Sequence, residues 1–142
     1  FRPHNIYGPR MGYSHVVPEL IKKMQNNSSK VTIFSPSHKR AFCYIDDAVN
    51  QIIGISINIK NKNKIFNIGN QSEEVRIFDL AKNILKLLKQ NNKLKKGIIT
   101  EGSPHRRVPD MKLTLSKIQS NKFTNLNEGL SKTISWYLNE KN

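Results

Sequence analysis

Short β-like runs, each set between amphipathic helices, constrain this chain more than any other feature of its sequence. Val31–Phe34 is a β-branched run closed by the turn Ser35-Pro36-Ser37. Arg40–Ile45 reads as a second strand, Ile65–Ile68 as a third closed by Gly69, and Val75–Phe78 as a brief extended piece. Gly97–Thr100 is a further strand candidate. Between these runs the apolar spacing is helical. Val17, Leu20, Ile21 and Met24 predict a helix from Val16 to about Asn26, with Pro18 tolerated in its first turn. Asp46 or Asp47 suits a helix start, where a carboxylate satisfies free backbone N–H groups; Ala48, Ile52, Ile55 and Ile59 follow on one side. In the clearest helix Leu80, Ile84, Leu87 and Leu88 face inward, while Lys82, Lys86 and Lys89 face outward. A last helix is expected from Leu126 to Asn139, through Leu130, Ile134 and Tyr137. The pattern predicts an α/β chain with a small sheet and about four helices. No G-x-G-x-x-G and no Walker loop occurs, so a complete doubly wound nucleotide fold is not expected.

The 142 residues suffice for one domain, 1–142, with no repeat and no low-complexity linker. No run approaches the ~20 apolar residues of a membrane span. The opening FRPHNIYGPR has no apolar signal segment. A cytoplasmic setting without membrane attachment is therefore expected. The single Cys43 excludes an intrachain disulfide framework and a multi-Cys zinc site. A start at Phe1 rather than Met suggests a piece of a longer protein.

The formal net charge is +14, which by itself points to an anionic partner. Yet the 18 Lys, 17 Asn and 17 Ile all have A/T-rich codons, so genome composition accounts for much of the lysine. The densest run, Lys89–Lys96, is expected at a helix end and loop as a solvated surface. Arginine is scarce: Arg2, Arg10, Arg40, Arg76, Arg106 and Arg107 are all there is. A guanidinium grips phosphate in two places, which an ammonium does not.

A search for catalytic chemistry finds no assembled set. His4, His15, His38 and His105 lack metal-ligand spacing, and no metal site is expected. Asp46 and Asp47 read as helix-start residues, and Cys43 as a buried, inert thiol. Ser37, Ser103 and Ser116 have no nucleophile elbow around them. A polyanion site is more credible. Arg40 and Arg107 follow turns or loops, and Asn5 and Asn67 lie at strand ends, where clefts form in α/β sheets. On the residues alone this site and the ordinary reading, turn formers and surface ion pairs, stand equal.

Together the segments resemble a known family. F-R-P-H-N-I-Y-G-P-R, V-V-P-E-L-I, V-T-I-F, K-R-A-F-C-Y-I-D-D-A-V, I-F-N-I-G-N, R-R-V-P-D and the closing E-G-L-x-x-T-I-x-W-Y follow one another. In that order they are similar to the second half of the extended short-chain dehydrogenase/reductases, the NAD-dependent nucleotide-sugar epimerases, dehydratases and decarboxylases. The resemblance covers the whole chain. It implies a small substrate-binding lobe completing a Rossmann-type domain that is absent here, with residues 1–12 as a strand and loop of the Rossmann sheet. The family's glycine-rich NAD loop is not found in this chain, and no Tyr is followed by Lys at i+4 in a matching context. No catalytic residue is therefore expected, and the chain should be inactive alone.

The resemblance also implies site residues. Asn5 and Arg40 correspond to diphosphate ligands, and Arg107 to a second arginine on the phosphate or ribose. His15, Val16 and Val17 fall where a substrate loop meets phosphates and base. Thr32 and Phe34 match the strand that frames the base; Asn67 has a role that varies among members; Pro3 falls near the nicotinamide. The implied substrate is a UDP- or dTDP-linked sugar. The implied chemistry is transient oxidation at the sugar's C4 by NAD, with a tyrosine outside this chain as base. A UDP-sugar 4-epimerase is the first expectation, with UDP-glucuronate decarboxylase and dTDP-glucose 4,6-dehydratase as alternatives, and the full-length protein as a homodimer. A basic nucleic-acid-binding module is the alternative of another class. It is not favoured, because few aromatics interleave the lysines as stacking platforms.

Overall fold

A computed structural model of the chain describes residues 1–26, 29–118 and 122–139. Its elements are as short as the sequence implies. The strands are β1 (Arg2–Pro3), β2 (Ile6–Tyr7), β3 (Lys30–Ile33), β4 (Lys39–Ala41), β5 (Cys43–Tyr44), β6 (Asn67–Ile68), β7 (Glu74–Arg76), β8 (Lys93–Lys96) and β9 (Arg106–Arg107). The helices are α1 (Val16–Gln25), α2 (Ile45–Ser56), α3 (Ile77–Leu87), α4 (Lys112–Leu115) and α5 (Leu126–Asn139), with a 3-10 turn at Ile59–Asn61. Three parallel pairs form, β1 with β6, β2 with β5 and β3 with β8. In the remaining sheet β4 is central, antiparallel to β7 and parallel to β9.

The apolar stripes read from the sequence bury as two clusters. The larger joins α1, α3 and α5 through Leu20, Ile21, Met24, Leu80, Ile84, Leu130 and Ile134, with Tyr7, Phe42 and Tyr44 beneath them. The smaller gathers Cys43, Ala48, Ile55, Phe66 and Ile68 under α2. Burial, together with the Asp47 carboxylate, pushes the Cys43 thiol up to about 12, so it stays protonated and unreactive. Among the described residues no helix is long and apolar enough to cross a membrane.

Four expectations are corrected. The run Arg40–Ile45 is not one strand: Phe42 breaks it, so that β4 pairs with β7 and β9 while β5 pairs with β2. The extended piece Val75–Phe78 ends at Arg76, where α3 begins. Gly97–Thr100 carries no strand; the lysine-rich stretch before it does, with Leu94 opposite Val31 in register. Lysines along β8 suit a strand that is paired on one side, because their charge opposes further strand addition. Ile59 leaves the α2 face altogether and is exposed in the 3-10 turn.

Candidate functional site

The loop after β2 runs into α1, and α1 begins without a side-chain cap: His15 stands at its N-cap in extended backbone and makes no capping hydrogen bond. The first N–H groups of an α-helix have no partner within the helix. Here they belong to Val16 and Val17, Pro18 having none to offer. The same end carries the positive pole of the helix dipole. A cavity of about 360 Å³ opens at this point. Val16, Val17, His15, Asn5, Pro3 and Arg107 line it, and Ile6, Tyr7, Met11 and Phe42 supply its apolar surface.

Arg107 reaches the cavity because it is on a strand. Side chains alternate across a strand, so the neighbouring Arg106 and Arg107 leave on opposite faces. Arg106 turns to β7 and grips Glu74 with both prongs, Nε to Oε1 at 2.8 Å and Nη2 to Oε2 at 3.0 Å. The hydrogen bond from Arg106 holds the Glu74 carboxyl below its ordinary range. The Arg107 guanidinium makes no hydrogen bond or ion pair with any described residue. Its backbone is fixed nonetheless: Asn5 Nδ2 donates to the Arg107 carbonyl at 3.4 Å and to Ala41 at 2.9 Å. Asn5 does this from the left-handed region, φ 45°, which Asn tolerates better than most residues.

Arg40 faces Arg107 in register across β4 and β9. Its side chain is only 8% exposed and does not line the cavity. Nη1 donates to the Lys39 carbonyl at 2.7 Å and the His105 carbonyl at 3.4 Å. Nη2 donates to the Pro104 carbonyl at 2.7 Å and to Ser103 Oγ at 3.0 Å. Burial, and then the Arg107 charge, hold the Arg40 guanidinium below its ordinary value. The two arginines thus stand side by side with no carboxylate bonded to either among the described residues.

The other expected site residues stand apart from this cavity. Thr32 and Phe34 line a groove of about 300 Å³ with Lys23, Asn26, Lys30 and Val31, and the Lys23 ammonium lies 5.5 Å from the Phe34 ring centre. Asn67 donates to the Asp110 carbonyl at 2.8 Å and meets His4 Nε2 at 3.3 Å. Sequence reasoning missed Tyr7, Met11 and Phe42 as lining residues, and Ser103 and His38 beside Arg40. Tyr7 and Phe42 belong to the core and carry no signal that distinguishes a lining residue from a packing one. The Ser103–Arg40 contact joins positions 63 apart, which no local pattern announces.

No three His, Cys, Asp or Glu side chains come together as metal ligands among the described residues. A dinucleotide is not fitted by this chain alone. No glycine-rich loop leads into a helix here, and Pro3 offers the cavity a ring and a carbonyl but no N–H.

The sequence profile described as the NAD dependent epimerase/dehydratase family matches residues 1–69. A UDP-N-acetyl-alpha-D-glucosaminuronate decarboxylase of Bacillus cytotoxicus is 28% identical over 96% of this chain and 44% of its own length. A dTDP-D-glucose 4,6-dehydratase of Homo sapiens is 28% identical over 96% of this chain and 40% of its own. The crystal structure of UDP-glucuronic acid 4-epimerase from Bacillus cereus, in complex with UDP-glucuronic acid and NAD, superposes with a TM-score of 0.87 at 24% identity. It covers 98% of this chain and 44% of that one, a likeness of fold. The chain spans less than half the length of these relatives.

Proposed function

We propose that this chain, whose residues 1–69 match the NAD dependent epimerase/dehydratase family profile, belongs to that family and is the substrate-binding part of an enzyme acting on a nucleotide-linked sugar. The observation that carries this reading is the unpaired Arg107 guanidinium at a cavity onto which the uncapped start of α1 opens. A nucleoside diphosphate brings about two negative charges, and each charge-assisted hydrogen bond contributes on the order of 1.5–3 kcal/mol. Arg107 takes the diphosphate as a fork. The Val16 and Val17 N–H groups complete its setting, Asn5 holds the Arg107 carbonyl in place, and His15 stands at the rim. Thr32 and Phe34 frame the base, and Asn67 orders the segment around Asp110 by its bond to that carbonyl. The reading also makes residues 1–12 part of the Rossmann sheet of a longer, homodimeric, cytoplasmic protein. β1, paired with β6 on one edge, is consistent with that.

Binding energy collected at the diphosphate positions a sugar that does not itself touch these groups. NAD, when bound, supplies removal and return of hydride at the sugar; in this reading it is held mainly by a part of the protein outside this chain, with Pro3 near the nicotinamide, and the base belongs to that part too. No residue here is assigned a catalytic role. The reaction proposed is 4-epimerisation of a UDP-sugar, supported by the Bacillus cereus fold neighbour. Decarboxylation of a UDP-linked uronic acid is the second reading, favoured by the Bacillus cytotoxicus decarboxylase among the sequence relatives. Dehydration of a dTDP-hexose has the same kind of support.

Titration of the chain with UDP by calorimetry tests the site. Saturable binding is expected, weakened about tenfold or more by Arg107→Ala. Arg106→Ala, on the opposite face, leaves the affinity unchanged. Equal affinity in Arg107→Ala and the parent chain overturns the assignment. So does failure to bind UDP while a nucleic acid binds with a steep salt dependence, the mark of released counterions.

A further inference from the structure

We propose that Lys23 selects the base of the bound nucleotide, favouring a pyrimidine with a carbonyl at C4 over one with an amino group there. This deepens the reading of Thr32 and Phe34 as the residues that frame the base, and it rests on that reading. The groove they line also takes in Lys23 and Asn26 from the end of α1, and no residue of β8. Phe34 is 47% exposed. Its ring is nonetheless seated: a Cβ at Gly97 would stand 3.2 Å from Phe34 Cδ1, so the ring rests on bare backbone just after β8. The Lys23 ammonium lies over this ring, 5.5 Å from its centre. A base stacked on the ring moves the ammonium from the face to the edge of the base, and the flexible four-carbon stem of lysine allows the move.

The chemistry of that edge decides the selection. An ammonium offers three donors and no acceptor. Uracil and thymine present a carbonyl oxygen at C4, which accepts; cytosine presents an amino group, which donates. The strand beneath agrees with this choice. Gly97 N–H donates to the Ile33 carbonyl and Lys93 N–H to the Ser29 carbonyl, each at 2.8 Å. The odd-numbered residues of β3 thus turn their backbone groups to β8, and the Thr32 carbonyl and Phe34 N–H face the other way, on the side of the groove. An acceptor beside a donor suits the ring N–H and carbonyl of uracil, not the ring nitrogen and amino group of cytosine. The helix sets the reach. Lys23 follows Val16 by two turns on the same face, about 10 Å along the axis, comparable to the span of a nucleoside from its phosphate to the far edge of its base. Glu19, one turn before Lys23, accepts a hydrogen bond from it and steadies the ammonium.

Titration of the chain with UDP and with CDP, which share ribose and diphosphate, isolates the base. The parent chain is expected to bind UDP about tenfold more tightly than CDP. Lys23→Met keeps the length and helix propensity of the side chain but has no donor. It is expected to narrow the UDP-to-CDP ratio about threefold or more, by weakening UDP. Glu19→Gln leaves the ammonium in place and is expected to keep the preference. Equal losses for UDP and CDP in Lys23→Met would show that the charge serves only the diphosphate, and would overturn the proposal. So would an unchanged ratio in Lys23→Met, or a parent chain that binds both nucleotides alike. A preference lost in Glu19→Gln as fully as in Lys23→Met would do the same, since that is the mark of an ion pair that only steadies α1. If Arg107→Ala weakens both nucleotides while Lys23→Met leaves their ratio intact, the phosphate site stands and the base selection falls. A parent chain that binds neither nucleotide overturns the reading of the site, and the role of Lys23 with it.

Discussion

Arg106 and Arg107 differ by one position and by almost everything else. One is tied to Glu74 on the outer side of the β7-β4-β9 sheet, the other lies unpaired at the cavity. The alternation of a strand makes that difference, and the sequence pair R-R alone does not say which member faces which way. His38 shows a second effect at this scale. Burial, then the charges of Arg40 and His105, hold its imidazole below the ordinary His range. The folded chain therefore binds fewer protons at this group than the unfolded chain when the pH falls below about 6.5. Its contribution to stability is complete above that pH and is lost as the pH falls through the depressed pKa. Protonation also removes the Nδ1 acceptor that faces Ser103. Melting temperature measured from pH 7.5 to 5 should fall more in the parent chain than in His38→Gln. Equal losses in both would contradict a neutral His38 in the folded state.

At the scale of elements, the three helices of the larger core were legible because their apolar spacing is regular; Pro18 falls in the first turn of α1, and Gly129 in α5 leaves the spacing intact. The last helix begins and ends where its pattern does, Leu126 to Asn139. β8 was not legible: Lys-Leu-Lys-Lys has one apolar residue, and pairing with β3, more than 60 residues away, makes it a strand. The break at Phe42 was hidden for a related reason, since the partners of β4 and β5 differ and neither is local. The E-G-L of the last helix shows what packing adds. A Cβ at Gly129 would come within 3.0 Å of Tyr44 Cδ2 and closer still to the Tyr7 hydroxyl. That hydroxyl donates to the Leu126 carbonyl at 3.3 Å, so the ring is not free to withdraw. Gly129→Ala should destabilise the fold by about 1–3 kcal/mol, read as a drop in denaturation midpoint. A midpoint equal to that of the parent chain would show that α5 does not seat on Tyr7 as described.

Over the whole molecule, charge and shape give different messages, and shape is the more specific. The net charge of +14 is spread over lysines of several faces, including β8 and the outer side of α3. The proposed anion site, by contrast, draws on one arginine and two backbone N–H groups at one cavity. That distinction explains why motif order pointed to Asn5, His15, Val16, Val17 and Arg107 together while the composition pointed to polyanions in general. Arg40 is where motif and structure part: the motif marks its position, but only the loop brought back from residues 103–105 shows where its nitrogens go. Ile53 and Ile57, four residues apart on α2 and its end, remain 55% and 81% exposed. Their exposure accompanies a chain less than half as long as its relatives.

Phosphate is proposed to bind at the start of α1 and Arg107. Titration of the isotopically labelled chain with UDP, followed by amide and guanidinium NMR signals, addresses it residue by residue. Saturable shifts are expected at Val16, Val17, Asn5 and Arg107 Nε, with the amides of Lys93–Lys96 unmoved. Shifts centred on those lysines, with Val16, Val17 and Arg107 silent, would contradict it.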